Sequence, residues 1–370
     1  MALRTFGVEE ELLLVDPGDG TPAASAESVV HEAQERRTQR GADPGLPPID
    51  QEFKEEQAEI GSIPTTSAAE LTENLRRLRR ELASAAAGNG VQVAAVATSP
   101  RKVRPTAAPN DRYQAMGAQF GLLARQQLTC GQHVHVSIDS RAEGVAVLDR
   151  IAPWLAVLNA ISGNSPFWQG QDSGYASYRT VVWSLWPSAG PSAIFGDEST
   201  YDRSISELIT SGAAIDDGMI YFDARLSARY PTLEIRVADV CTDVDDAVLI
   251  AALSRALVDT AAKSWRAGER SLEFRAELLR GASWRACRYG LTGELFDPDT
   301  RRPRPAFDLL DALVGRLLPA LERNGDLQLV DVGLDRLRSN GTGAQQQRAA
   351  FSRNRDLHEV VADVVRRTLL

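Results

Sequence analysis

The chain has 370 residues, enough for one large α/β-containing unit or two modest ones. Apolar residues make up 43 % and charged residues 25 %, a balance that excludes disorder and collagen-like repeats. With 41 basic against 50 acidic residues the net charge is −9, which argues against general nucleic-acid affinity, because that requires basic, counterion-releasing surface.

In chain order, Phe6–Val15 is the first predicted strand and Asp16–Ala24 a Pro/Gly/Asp-punctuated loop. Gln39–Ile49 reads as a second loop and Glu55–Gly61 as a second strand. Ser67-Ala-Ala-Glu70 is a capping-box pattern, and Leu71, Leu75, Leu78 and Leu82 put one stripe on one helix face before Gly88-Asn89-Gly90 stops it. Val91–Thr98 reads as a strand, Ser99–Asn110 as a loop, Gln132–Ile138 as a strand and 145–162 as a helix. Thr180–Trp186 and Thr232–Ala238 are short and rich in β-branched or aromatic residues, so they too read as strands. A long helix is expected over Val244–Arg266, capped by Thr242 or Asp243, and further helices near 270–287, 305–322 and through 344–370. No repeat or linker divides the chain, so 1–370 is expected to be a single domain. Several strands alternate apolar with polar residues, which predicts a sheet with one covered face and one working face. That is α+β architecture, with helices on one side and charged residues on the other.

Four clusters carry chemistry. In Gly7-Val8-Glu9-Glu10-Glu11-Leu12 the alternation of a strand sends Glu9 and Glu11 to one face and Glu10 to the other. Two like charges so placed repel unless a cation lies between them. In Glu52-Phe-Lys-Glu-Glu-Gln57-Ala58-Glu59, Gln57 and Glu59 share a face, with Glu52 seven residues back. Gly131-Gln132-His133-Val134-His135 places two of the four histidines on one face of a strand, able to hold a metal, position a phosphate or donate hydrogen bonds. In Thr232-Leu233-Glu234-Ile235-Arg236, a carboxylate and a guanidinium project together, as a structural ion pair or as a metal carboxylate beside a phosphate or carboxylate clamp. Carboxylate oxygens with at most one imidazole suit Mg²⁺ or Mn²⁺ better than zinc.

Cys130, Cys241 and Cys287 form no disulfide framework or CxxC site, and only Lys54, Lys102 and Lys263 are available as catalytic lysines. There is no Walker A loop, dinucleotide fingerprint or GxSxG elbow. Any ATP phosphates must therefore be held by metals and arginines, for which Ser177-Tyr178-Arg179 and Trp284-Arg285-Ala-Cys-Arg288-Tyr289 are candidates. No run of 18 apolar residues and no signal-peptide core is seen, so a cytoplasmic globular protein is expected.

FGVEEELLLVD, EEQAEI, CGQHVHVSI, GYASYRT, TLEIRVADVCTD and WRACRYGL, in that order, resemble the carboxylate–amine ligase family related to type 2 glutamate–cysteine ligases. The resemblance implies a glutamine-synthetase-like catalytic fold, a curved, mainly antiparallel sheet forming a funnel with helices outside. It implies ATP-dependent joining of a carboxylate to an amine through an acyl-phosphate, with L-glutamate and L-cysteine as the prototype substrates. By the same resemblance Glu9, Glu11, Glu52, Glu59, His133 and Glu234 match metal ligands for Mg²⁺ or Mn²⁺. His135 matches a residue facing the nucleotide phosphates, Arg236 a catalytic phosphate or substrate contact, and Arg179 and Arg285 ATP or substrate arginines. A homodimer is implied as well, while the net charge and the lack of a long apolar run lead to no expected nucleic-acid or membrane partner.

Three other readings compete. An H-x-H pair also opens binuclear or zinc hydrolase sites, which need further histidines; only His31 and His358 remain. A descendant that binds nucleotide or amino acid without turnover would share the pattern. A guanidino kinase would release ADP without stoichiometric phosphate, whereas a ligase releases both.

Overall fold

A computed structural model describes residues 2–40 and 47–370; part of the loop expected over Gln39–Ile49 lies outside the described residues. The elements run β1 (Phe6–Val15), α1 (Ala26–Arg40), β2 (Ile49–Gln51), β3 (Gln57–Gly61), α2 (Ala68–Gly88), β4 (Gln92–Ala94), α3 (Asp111–Phe120), α4 (Leu122–Gln126) and β5 (Gly131–Ser137). There follow α5 (Arg141–Ile151), α6 (Leu155–Ser162), β6 (Phe167–Trp168), β7 (Gln171–Asp172), α7 (Tyr178–Trp183), α8 (Glu198–Thr210), β8 (Ala224–Leu226) and β9 (Thr232–Asp239). The C-terminal third is α9 (Val244–Arg266), α10 (Ala276–Tyr289), the hairpin β10 (Glu294–Asp297) and β11 (Arg302–Pro305), then α11 (Ala306–Asn324), α12 (Leu327–Asn340), α13 (Gly343–Asn354) and α14 (Leu357–Thr368).

Among the described residues the main sheet has seven strands in the order β2-β3-β1-β5-β9-β8, with β4 pairing the far end of β1. Each pairing in it is antiparallel. One face is apolar: Phe6 and Val8, Val134 and Val136, and Leu233 and Ile235 join a core built on the wholly buried inner face of α9 and on α5 and α6. Alternate residues point the other way, so the expected division into a covered and an open face holds. Leu71, Leu75, Leu78 and Leu82 of α2 are buried as their spacing predicts, and Ser67 Oγ accepts from the Glu70 amide at 3.3 Å.

A charged pair lies on the covered face. Glu10 is fully buried, and its carboxylate accepts from Arg79 Nη2 and Nε at 2.7 and 2.8 Å. Arg79, on α2, also donates to the carbonyls of Cys241, Thr242 and Thr368, tying β1 to the entry of α9 and to the C-terminal helix.

Three expectations change. Thr180–Trp186 is not a strand: Ser177 caps a short helix, its Oγ accepting from the Thr180 amide while donating to Asp239 Oδ1 at 2.7 Å. A buried capping network outweighs β-propensity there. Val91–Thr98 forms a strand only over Gln92–Ala94. The helix expected over 145–162 begins at Arg141 and tightens into a 3-10 turn at Ala152–Trp154, where Pro153 lies. The stretch Arg141–Ser162 is apolar and long enough to cross a membrane, yet 83 % of its most apolar window is buried within the fold.

Removing one partner of the Glu10–Arg79 pair leaves a charge buried without compensation. Arg79→Leu is expected to lower stability by about 3–5 kcal/mol in denaturant unfolding, and Glu10→Leu/Arg79→Leu to recover part of that loss. Additive losses in the double variant would show that the two side chains act separately.

Candidate active site

The open face of the sheet forms the floor of a cavity of about 1680 Å³, above the ~300–1,000 Å³ typical of a site for one small ligand. Glu9 and Glu11 from β1, Gln57 and Glu59 from β3, His133 and His135 from β5, Arg225 from β8, and Glu234 and Arg236 from β9 all line it. Each is an alternate residue of its strand, so the charges converge because the strands pair in this order.

At the centre, Glu9 Oε2 lies 3.4 Å from His133 Nδ1 and 3.3 Å from His135 Nε2. Glu234 Oε1 is 3.8 Å from His133 Nδ1. Potential ligand atoms of Glu9, His133 and Glu234 all fall within 4.8 Å of one another. Register alone does not give this convergence. Between Gln132–Ala238 and Val134–Ile235 the β5–β9 pairing slips, so Arg236 and Val237 stand opposite His133 alone. This bulge re-aims the side chains around His133. Arg225 Nε donates to Glu234 Oε2 at 2.7 Å, and Arg236 Nη1 donates to Glu234 Oε1.

Burial opposes ionisation of Glu9, but the hydrogen bonds and charges of His133 and His135 outweigh it and hold the carboxyl well below its usual range. Glu234 is likewise held down, against burial, by Arg236 and Arg225. Burial and then Arg236 pull His133 down to about 4, so its imidazole is neutral near pH 7 and keeps a lone pair. His135 is raised: burial disfavours its charge, but the Glu9 hydrogen bond and charge prevail, and Nδ1 lies 3.0 Å from Thr232 Oγ1.

Along β1 toward its C-terminal end the carboxylates crowd. Glu11 is pushed up to about 7 by burial and by Glu52, against Arg179, while its Oε2 accepts from the Gly131 amide at 2.6 Å. Glu59 is raised well above the carboxylate range by burial and by Glu52, with which it shares a hydrogen bond. Glu52 lines the cavity, whereas Glu56 accepts from the Thr106 amide and Glu55 from the Glu27 amide, outside its lining. The acidic run thus contributes Glu52 and Glu59.

The arginines divide. Arg236 lines the cavity; Arg179 is buried beside it, packed on Gly131, where a Cβ would collide with the guanidinium. Arg285 does not join them. It sits on α10, which packs on α6 away from the open face, and it pairs with Glu294 through two hydrogen bonds of 2.8 Å. Periodicity could not find Arg225, because β8 has only three residues. Trp183 and Trp186 also line the cavity, from the stretch whose local pattern suggests a strand.

The donor set suits a hard divalent cation. Carboxylates dominate, and among the described residues buried His133 Nε2, Arg179 Nε and Arg236 Nε have no hydrogen-bond partner. Crowded acids with raised proton affinity beside partnerless nitrogens suit cations and a polyanion. His31 and His358 are absent from the lining, so a multi-histidine hydrolase site is not assembled.

The model of glutamate–cysteine ligase family 2 matches residues 5–367. A protein of Frankia alni with the provisional name glutamate–cysteine ligase 2-2 is 52 % identical over 374 aligned residues, 99 % of this chain and 97 % of the relative. The crystal structure of a bifunctional glutathione synthetase from Pasteurella multocida is similar in fold, with a TM-score of 0.67 and 14 % identity. The match covers 99 % of this chain but 52 % of that one, so this chain spans about half its length. A glutamate–cysteine ligase from Francisella tularensis, solved with AMP, matches with a TM-score of 0.63 and 12 % identity over 100 % of this chain and 89 % of that chain. The α+β fold expected above is therefore shared with ligases of this kind.

Because Glu9 holds up the proton affinity of His135, Glu9→Gln is expected to lower the His135 pKa, as burial and Arg236 are then opposed only by Glu234. NMR titration of the ring protons measures this, and an unmoved His135 would assign its raised value to other groups.

Proposed function

The chain belongs to glutamate–cysteine ligase family 2, and from that membership we propose that it is an ATP-dependent ligase joining the γ-carboxylate of L-glutamate to an amine, with L-cysteine accepted. The observation that carries this reading is the Glu9–His133–Glu234 cluster beside Arg236 and Arg225, on the floor of a cavity large enough for several substrates. A glutamate γ-carboxylate oxygen attacks the γ-phosphorus of ATP and ADP leaves. The amine nitrogen then attacks the acyl carbon of the mixed anhydride, and phosphate and a proton leave as the amide forms. No nucleophilic side chain is needed, and buried Cys130, Cys241 and Cys287 stay structural.

In this reading Glu9, His133 and Glu234 hold one divalent cation, and Glu11, Glu52 and Glu59 a second. Bound Mg²⁺ or Mn²⁺ supplies charge neutralisation to the transferring phosphoryl oxygens. His135 faces the phosphates as a hydrogen-bond donor. Arg236, freed in part from Glu234, clamps phosphoryl or carboxylate oxygens, and Arg179 supports it from beneath. Positioning of substrates on a rigid sheet accounts for the remaining acceleration. Arg285, held by Glu294 outside the cavity, has no place in this arrangement. A single catalytic domain acting in the cytoplasm as a homodimer completes the reading.

Incubation with ATP, Mg²⁺ or Mn²⁺, glutamate and cysteine is expected to release ADP and phosphate in equal amounts, with γ-glutamylcysteine identified by mass. ADP without phosphate would indicate a kinase. Glu9→Gln and Glu234→Gln are expected to lower this turnover at least about 100-fold with the fold retained by circular dichroism. His133→Ala is expected to shift the metal titration to higher concentration. An unaltered titration would remove His133 from the cation site.

A further inference from the structure

The cavity has two unlike ends, and their difference bears on the amine; the argument rests on the ligase reading above. Strand register fixes which residues lie at each end. His135 pairs with Gly7 and Ser137 with Thr232, so the N-terminal end of β1 carries His135, with Arg229 and Tyr230 preceding β9. Arg225 opposes Glu234 nearby. This end offers cationic and hydrogen-bonding groups to a polyphosphate.

The other end follows the opposite direction of β1, past Glu11 and Glu59. Phe53, Tyr113, Met116, Trp183, Trp186 and Tyr221 line it. Trp183 and Trp186 lie 4.6 and 5.6 Å, centroid to centroid, from Tyr221, and Phe53 lies 5.1 Å from Tyr113. The hydroxyls of Tyr113 and Tyr221 have no hydrogen-bond partner among the described residues and can meet a ligand. Lys54 Nζ closes the floor, 4.1 Å from the Phe53 ring centroid, with a single hydrogen bond of 2.7 Å to the Ala124 carbonyl.

Glutamate, with two carboxylates and an ammonium, has little to bury against five aromatic rings. The nucleotide's phosphates are drawn to the cationic end and to the cations of the central carboxylates, whereas the end beyond Glu11 and Glu59 offers mainly aromatic surface to the other substrate. Cysteine would leave most of the aromatic surface uncovered. We propose that this aromatic arm receives the apolar body of the amine substrate, and that the enzyme prefers an amine bearing an aromatic or large aliphatic group over cysteine. One methylene in an apolar pocket changes selectivity by roughly 10–200-fold, so the preference is measurable.

The test compares kcat/KM for L-phenylalanine, L-leucine and phenethylamine with that for L-cysteine and L-alanine, at fixed ATP and glutamate, by phosphate release and product mass. At least one large apolar amine is expected to exceed cysteine by about tenfold or more. Trp183→Ala is expected to lower the apolar-to-cysteine ratio about tenfold, and Trp183→Phe to keep it within about threefold. Phenethylamine binding is read separately, without turnover, by quenching of tryptophan fluorescence. Equal or better use of cysteine or alanine overturns the proposal and leaves the ligase reading standing. Displacement of phenethylamine by adenosine assigns the arm to the nucleotide and also overturns it. Saturable phenethylamine binding that Trp183→Ala weakens, with no turnover of any amine, supports the arm's ligand class while the ligase reading fails.

Discussion

The register of β1 is the constraint on which the rest of the molecule depends. Three consecutive glutamates occupy this strand, and a slip of one residue would exchange the faces of all three. The clamp of Arg79 on Glu10 prevents that exchange. Glu10 is wholly buried on the helix-covered face and receives two hydrogen bonds from Arg79, so the pair is satisfied only when Glu10 points inward. Glu9 and Glu11 must then point outward. The remaining donors of Arg79 reach the Cys241, Thr242 and Thr368 carbonyls, so one guanidinium aligns β1, the start of α9 and the end of the chain.

From that register follows a concentration of like charge that the isolated protein satisfies unevenly. Where histidines and arginines stand close, as at Glu9 and Glu234, the carboxyls stay strongly acidic. Where acid meets acid, the nearby Glu52 carboxylate and burial raise the proton affinity of Glu11 and Glu59 instead. The open face is therefore built around positive charge that the side chains supply only in part. The structure tolerates this because the opposite face is buried against α9, α5 and α6, whose apolar surface holds the sheet in place.

The β5–β9 bulge adds what regular pairing cannot. It places two residues of β9 against His133 and brings Glu234 toward Glu9 across the intervening strand. At the far end, α7, a short helix capped by Ser177, turns Trp183 into the cavity where a strand would have alternated its residues between faces. Both are departures from regular β structure beside the site, and both set the directions of particular side chains.

The sequence by itself determined the strand faces, because alternation has a period of two and an apolar partner on every second residue fixes which side is buried. That made Glu9, Glu11, Glu59, His133, His135, Glu234 and Arg236 legible as one working surface, and six ordered motifs made the family legible. It also determined the buried stripe of α2, which repeats at helical spacing. Only the tertiary structure decided that Glu52 and not Glu55 or Glu56 joins the cavity, that Arg225 does and Arg285 does not, and that Thr180–Trp186 is largely helical. Those outcomes depend on strand order, on a bulge and on a buried cap formed with Asp239, contacts between residues far apart in the chain that no local periodicity encodes.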